Sequence, residues 1–227
     1  MNYYKITNEK EIHDNMQYKD GLNVDVLPWN PKGDCQKGGI YFASTDILAF
    51  LDYGCWIRKV EVPEGVEIYE NPGDPKKYKA PKVFLHPRRK IDTNVIKELI
   101  DEGADLKVCG STVLRWAAEN GHAEIVKMLL PHSDPKACDS AALRWAAENG
   151  NAEIVKMLLP VSDPKACGSV SLIWAAESGH AEIVKMLLPV SDLKDCEIEA
   201  LRRSAINGHT EIVEMIENYK KGGNKND

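Results

Sequence analysis

Residues 114–131 read LRWAAENGHAEIVKMLLP, and the string returns nearly unchanged at 143–160 and 172–189, then in altered form at 201–217. Trp116, Trp145 and Trp174 fall 29 residues apart, as do Gly121, Gly150, Gly179 and Gly208, and Cys109, Cys138, Cys167 and Cys196. A constant period of this length marks a stacked array. Each copy reads as two short helices. Ser140 or Ser169 is placed to N-cap the first, Leu143, Ala146 and Ala147 share one face of it, and Gly150 supplies the left-handed residue that ends it. Ile154, Val155, Leu158 and Leu159 stripe the second, and Pro160 stops it because proline cannot continue the ladder. Helices of about ten residues are marginal alone, so neighbouring copies must cover the shared apolar face.

The pattern L-x-x-A-A-x-x-G-H-x-E-I-V-K-x-L-L is carried by Leu114, Ala117, Ala118, Gly121, His122, Glu124, Ile125, Val126, Lys127, Leu129 and Leu130. It resembles the ankyrin repeat over roughly 92–219. Ankyrin units run to about 33 residues and open their first helix with T-P-L-H. The equivalents here are Thr112-Val113-Leu114-Arg115, Ala141-Ala142-Leu143-Arg144 and Val170-Ser171-Leu172-Ile173. The shortfall lies between Pro160 and Leu172, where the family has a projecting hairpin finger, so tight loops with little or no finger are expected.

Composition sets the frame. A chain of 227 residues, 43% hydrophobic and 28% charged, is an ordinary soluble one with room for a small domain and a short array. The opening MNYYKITNEKE has no basic-then-apolar leader, and no apolar run approaches the ~18 residues of a membrane span, so a soluble intracellular protein is expected. Four of the six cysteines recur once per copy. Stacked helices lie about 8–10 Å apart, beyond the ~7 Å that a disulfide allows, so these four read as free, small, buried residues in the loop between copies. Cys35 and Cys55 read as reduced, and no Cys/His spacing fits zinc. Residues 1–90 carry 14 basic against 13 acidic residues and 91–227 carry 15 against 22. An acidic array is a poor match for a phosphate backbone, so no nucleic-acid partner is expected.

Residues 1–90 contain no repeat and read as a small α+β module. Strands are predicted at 3–7, 22–26, 38–43, 56–62, 66–69 and 81–85. A helix capped at Ser44 has Ile47, Leu48, Phe50 and Leu51 as its inner face and Gly54 as its stop. The motifs D-G-L-N-V-D (20–25), C-Q-x-G-G-I-Y-F (35–42) and Y-G-C-W-I-R-x-V-x-V-P (53–63) resemble the leader module of ankyrin proteins from mimivirus-type giant viruses. The resemblance implies an architecture and names no chemistry for the leader. An all-α ankyrin-like solenoid then occupies 91–219: a half-repeat at 91–110, repeats at about 111–139, 140–168 and 169–197, and a capping repeat at 198–219. Thr93-Asn94 caps the first helix, whose face is Val95, Ile96, Leu99 and Ile100, and this half-repeat is read as docking the array on the leader. In the last copy Arg203, Ser204, Glu214 and Glu217 replace apolar or cationic positions, which suits a copy with one face in water. The tail, 220–227, reads as disordered.

Several clusters are candidates for function. The tryptophans beside Ala-Ala read as packing between copies. Arg115, Arg144 and Arg202 accompany Glu119, Glu148 and Glu177 on the first helices. They read either as solvated pairs worth ~0.2–0.5 kcal/mol or as a recognition row, with Ile173 as the deviant position. His122, His180 and His209, with Asn151 in the remaining copy, read as makers of a local hydrogen bond. Lys76, Lys77, Lys79, Lys82, Arg88, Arg89 and Lys90 form a basic stretch, suited to phosphate or an acidic partner, or else a solvated linker face or an electrostatic partner for the acidic array. The stretch Gly39-Ile40-Tyr41-Phe42-Ala43 before a helix ending in Tyr53 looks like G-x-Y-F-A of ADP-ribosyltransferases. That resemblance implies His13, Tyr41 and Glu61 or Glu67 as its residues. The leading reading is a non-catalytic, monomeric protein-binding module using Arg115, Glu119, Arg144, Glu148, Ile173, Glu177 and Arg202 on the concave face. It has no cofactor, no metal and no catalytic residue, and its partner is a host protein in the host cytoplasm if the chain is viral. The alternative is an ADP-ribosyltransferase-like leader with the array as its targeting arm.

Overall fold

The β-favouring residues Tyr3, Tyr4, Ile6 and Thr7 form β1 (Tyr3–Thr7), as predicted. The structure, a computed structural model, describes residues 1–13, 16–31, 37–71, 73 and 75–223. Within them follow β2 (Ile12–His13), β3 (Met16–Gln17), β4 (Gly21–Val24), β5 (Ile40–Phe42), β6 (Trp56–Glu61), β7 (Tyr69–Asn71), β8 (Lys77–Ala80), β9 (Lys82–Leu85) and β10 (Arg89–Lys90). One antiparallel sheet runs β1-β6-β9-β4, with β10 pairing on β6 beyond the end of β9. A second runs β5-β8-β7, and a bridge between Tyr4 and Ala43 ties the two together. Val60, Val83 and Leu85 of the first sheet cluster with Ile40, Phe42, Tyr78 and Ala80 of the second to make the core. This is the strand-rich module that the sequence predicts.

Several local details differ from prediction, among them the strand expected at 66–69, which forms at Tyr69–Asn71 instead. The segment after Ser44 is a 3₁₀ helix, Ile47–Tyr53, with Ile47, Leu48 and Leu51 buried. Gly54 ends it for a steric reason: its backbone is extended, and an added Cβ would lie 2.0 Å from the Thr7 carbonyl oxygen. Strand β8 falls in the basic stretch that reads as linker. Its Lys79 is 0% exposed, with its ammonium 5.4–5.8 Å from the rings of Trp29, Tyr41 and Tyr69.

A buried ion network fixes one end of the first sheet. Arg58, 3% exposed on β6, donates Nε–H to Glu11 Oε1 at 2.7 Å and Nη2–H to Glu11 Oε2 at 3.0 Å, while Nη1–H donates to Asp20 and to the His86 carbonyl. Hydrogen bonds from Arg58 hold the Glu11 carboxyl below its usual range, and Arg88 adds to this from 3.3 Å.

The chain divides into two compact units, Met1–Val113 and Leu114–Asp227. The first helix of the array, α1 (Thr93–Asp101), therefore lies in the first unit, past the expected boundary at residue 90. Its cap is Asp92, whose carboxylate accepts from Val95 N–H at 2.9 Å, one residue before the predicted Thr93-Asn94. Arg89 pairs bidentately with Glu98, Tyr4 donates its hydroxyl to Glu102, and Asp105 N–H donates to the Thr45 carbonyl, so this helix is pinned to the strands.

Onward run α2 (Leu106–Glu119), α3 (Ala123–Leu129), α4 (Ala137–Glu148), α5 (Ala152–Leu158), α6 (Ala166–Glu177), α7 (Ala181–Leu187), α8 (Leu193–Ile206) and α9 (Thr210–Gly223). The ankyrin-like reading is observed in its detail. Leu114, Leu143 and Leu172, the paired alanines after each tryptophan, and the Ile-Val-Leu stripes of α3, α5 and α7 are all 0–1% exposed. Residues 159–165 are turns, without a strand finger. Helix α9 reaches Gly223, so 220–223 of the expected disordered tail is helical; 224–227 lie outside the described residues.

The loops between copies carry the largest departure. Cys138-Asp139-Ser140 and Cys167-Gly168-Ser169 are consecutive left-handed residues, with φ from 52° to 68°. Such runs are costly. Here each buried serine is held by the next copy: Ser140 Oγ accepts from Asp163 N–H and Ser169 Oγ from Asp192 N–H, both at 2.8 Å. The serines thus tie adjacent copies rather than N-cap their own helices. The twist also turns Cys138 and Cys167 to solvent, correcting the expectation that they are buried, whereas Cys196, in uninterrupted α8, is buried with its thiol pushed up to about 11 by burial. The Cys109 side chain and Cys35 lie outside the described residues.

Candidate functional site

On the first helices the tryptophans are half-buried. Trp145 and Trp174 meet edge to face at 5.8 Å, and Trp116 lies 4.9 Å from the His122 ring. Around them the charged residues do not repeat as the sequence does. Arg115 pairs with Glu119 at 3.3 Å. Arg144 instead donates to the Cys138 carbonyl at 2.7 Å and reaches 5.8 Å from the Trp174 ring of the next copy. Glu148 is thereby left with Oε2 shielded from solvent and, among the described residues, unbonded. Burial pushes the Glu148 carboxyl up, and the Glu119 and Glu177 carboxylates add to the effect, so the three acids form one column.

Of the seven predicted positions, Arg115 and Glu119 lie on α2, Arg144 and Glu148 on α4, Ile173 and Glu177 on α6, and Arg202 on α8. Ile173 is half-buried on α6. Arg202 is exposed and pairs with Glu199 at 2.6 Å. The residue that closes the column is Arg203, which bridges Glu177 and Glu199. Hydrogen bonds from Arg202 and Arg203 hold the Glu199 carboxyl at about 2. Arg203 stands where earlier copies have tryptophan, and its loss of aromatic character was the available signal.

The turn histidines reach further than a local bond. His180 Nε2 lies 2.9 Å from the Glu148 carbonyl and His209 Nε2 3.0 Å from the Glu177 carbonyl, 32 residues back in each case. A carbonyl only accepts, so Nε2 must carry the proton. Asn151 makes the same link through its amide to the Ala118 and Glu119 carbonyls, at 2.7 and 3.1 Å, which is why asparagine substitutes. The preceding glycines make room: a Cβ at Gly150 or Gly179 would meet the histidine ring at 2.6 Å, and both have positive φ.

Of the basic stretch in the leader, Lys79 is buried and Lys77 half-buried, while Lys76, Lys82, Arg88, Arg89 and Lys90 are exposed. Lys79 is caged by aromatics, Arg88 stacks 4.3 Å over Trp56, Arg89 pairs with Glu98 and Lys76 lies 3.5 Å from Glu70. A cavity of about 230 Å³ opens against β1, β5 and the 3₁₀ helix, and His13, Tyr41 and Tyr53 line it. Neither Glu61 nor Glu67 does. Glu61 is exposed and 3.6 Å from His86, and Glu67 accepts from Trp29 Nε1–H at 3.0 Å. The set suggested by the ADP-ribosyltransferase resemblance is therefore brought together only in its histidine and tyrosine. Among the described residues, no group of three or more His, Cys, Asp or Glu could hold a metal ion, and no helix is long and apolar enough to cross a membrane.

Comparison with known proteins agrees with this architecture. The family model for ankyrin repeats (3 copies) matches residues 88–167 and 143–227, more than half of the chain. Relatives come from Acanthamoeba polyphaga mimivirus. One, named as ankyrin repeat protein R229, is 36% identical over 140 residues, 55% of this chain and 46% of its own length. A second, named as ankyrin repeat protein R868, is 33% identical over 136 residues, 56% of this chain and 66% of its own length. Uncharacterized protein R869 is 36% identical over 138 residues, which cover 56% of this chain and 96% of R869. The matches thus span about half to two thirds of the first two relatives. With its stacked copies, buried Leu-Ala-Ala columns and histidine links between copies, the chain belongs to the ankyrin-repeat family and is of the mimivirus type.

Proposed function

We propose that this chain acts as a monomeric, non-catalytic binding module that takes a host protein, in the host cytoplasm, through the first-helix face of its array. Ankyrin repeats are in general protein-interaction modules. The observation that supports this face is Glu148, whose shielded Oε2 has no partner among the described residues and whose charge is opposed by Glu119 and Glu177. A cationic side chain from a partner relieves both defects at once, and the half-buried tryptophans flank it with apolar surface. Arg115, Arg144 and Ile173 border the same helices and set which side chains fit.

The test uses the whole chain as bait in amoebal lysate, with Glu148→Lys, Arg115→Glu and Arg144→Glu compared against Lys156→Glu on the second helix. A protein captured by the parent and by Lys156→Glu but lost with Glu148→Lys supports the reading. Capture that survives all three first-helix changes refutes it.

A further inference from the structure

We propose that the leader module binds a small planar aromatic carboxylate in the cavity between β1, β5 and the 3₁₀ helix. Its walls supply aromatic surface, with Tyr18, Tyr41, Phe50 and Tyr53 all lining it. Its charge comes from Lys5 and Lys77, and no Asp or Glu is among the described lining residues.

Lys5 carries the argument. It is only 7% exposed, and among the described residues its ammonium makes one hydrogen bond, donated to the Tyr41 carbonyl at 2.8 Å, while lying 4.5 Å over the Tyr18 ring. An ammonium has three donors, so two remain for another acceptor. Burial pulls Lys5 down to about 8, and among the described residues no carboxylate offsets that burial. A buried cation without a counter-charge is expensive for a fold to keep, and a carboxylate bound beside it supplies the missing charge and acceptors. Lys77, 5.6 Å from the Tyr41 ring, adds a second positive charge to the same lining.

Size limits the ligand. A dry cavity of about 150 Å³ takes one benzene ring. At about 230 Å³ the present one takes a ring and one small charged substituent, and a nucleotide is too large for it.

Benzoate and benzamide share shape and differ in charge, so titrating the full chain with each by calorimetry tests the proposal. Benzoate should bind about tenfold more tightly near neutral pH, as a charge-assisted hydrogen bond predicts. Lys5→Met keeps the stem and removes the charge; if it melts like the parent, its preference should fall to about one. Should that variant fail to fold, the parent itself gives the answer. Its benzoate preference should decline between about pH 7 and about pH 10 as Lys5 loses its proton, with benzamide affinity flat below the range where tyrosines ionise. The other titratable groups lining the cavity are Tyr4, Tyr18, Tyr41, Tyr53, His13 and Lys77. Equal or stronger binding of benzamide overturns the proposal and favours a nicotinamide-type pocket instead. Failure of both to bind at millimolar concentration, or a preference indifferent to Lys5 and to pH, also overturns it.

Discussion

Arg58 and Glu11 show how much one residue can commit a fold to. Both are buried, and Glu11 is the principal counter-charge of Arg58. Replacing Glu11 by Gln leaves a buried guanidinium short of its partner and should cost about 3–5 kcal/mol in urea unfolding. The pH dependence has a definite sign. The Glu11 carboxyl is held below 4.5 in the folded chain, so its contribution is present above that value and is lost as pH falls through the folded value. Parent stability should therefore drop on acidification below about pH 4.5, and the Gln variant should show less of that drop. His180 makes a second residue-scale case. Its donor can be replaced by another donor, so His180→Asn should change stability by less than about 0.5 kcal/mol, whereas His180→Ala should cost about 1 kcal/mol by thermal melting. The histidine-for-asparagine exchange at 151 was readable as evidence of a hydrogen bond. Its acceptor in the previous copy was not, because only stacking brings residues 32 or 33 apart within 3 Å.

At the scale of elements, periodic features were legible and locally unusual ones were not. The helices of the copies and β1 follow from apolar spacing. Strand β8 does not, because Lys-Tyr-Lys-Ala has no strand signal until Trp29, Tyr41 and Tyr69, from three separate segments, surround Lys79. The left-handed triplets are likewise invisible to local reasoning, since a serine ahead of a helix ordinarily reads as its cap. The two triplets differ in their middle residue, Asp139 in one and Gly168 in the other, both left-handed. Glycine carries no steric penalty there, so Asp139→Gly should stabilise the chain by about 0.5–1 kcal/mol, and Gly168→Asp should destabilise it by a similar amount. Urea midpoints of the two variants check this, and opposite signs are the required result.

At the scale of the whole molecule, stability in a solenoid is a sum over copies and the interfaces between neighbours. Hydrogen exchange should accordingly show the slowest amides in α4 to α7, which have neighbours on both sides, and faster exchange in α9, whose outer positions Glu211, Glu214 and Glu217 are exposed. Uniform protection through α9 would contradict that order. The sequence alone determined the array, its period, its missing fingers and its buried Leu-Ala-Ala columns, because a repeated apolar pattern permits one way of covering itself. It also determined a strand-rich leader. Only the tertiary structure decided that the Glu148 carboxylate has a shielded oxygen unbonded among the described residues, that Arg203 and not Arg202 closes the acidic column, and that Lys5 lines a cavity with no Asp or Glu among its described lining residues. Identical strings have identical local preferences, but a side chain's charge state and partners depend on what neighbouring segments bring within a few ångströms, and that information is not local in the chain.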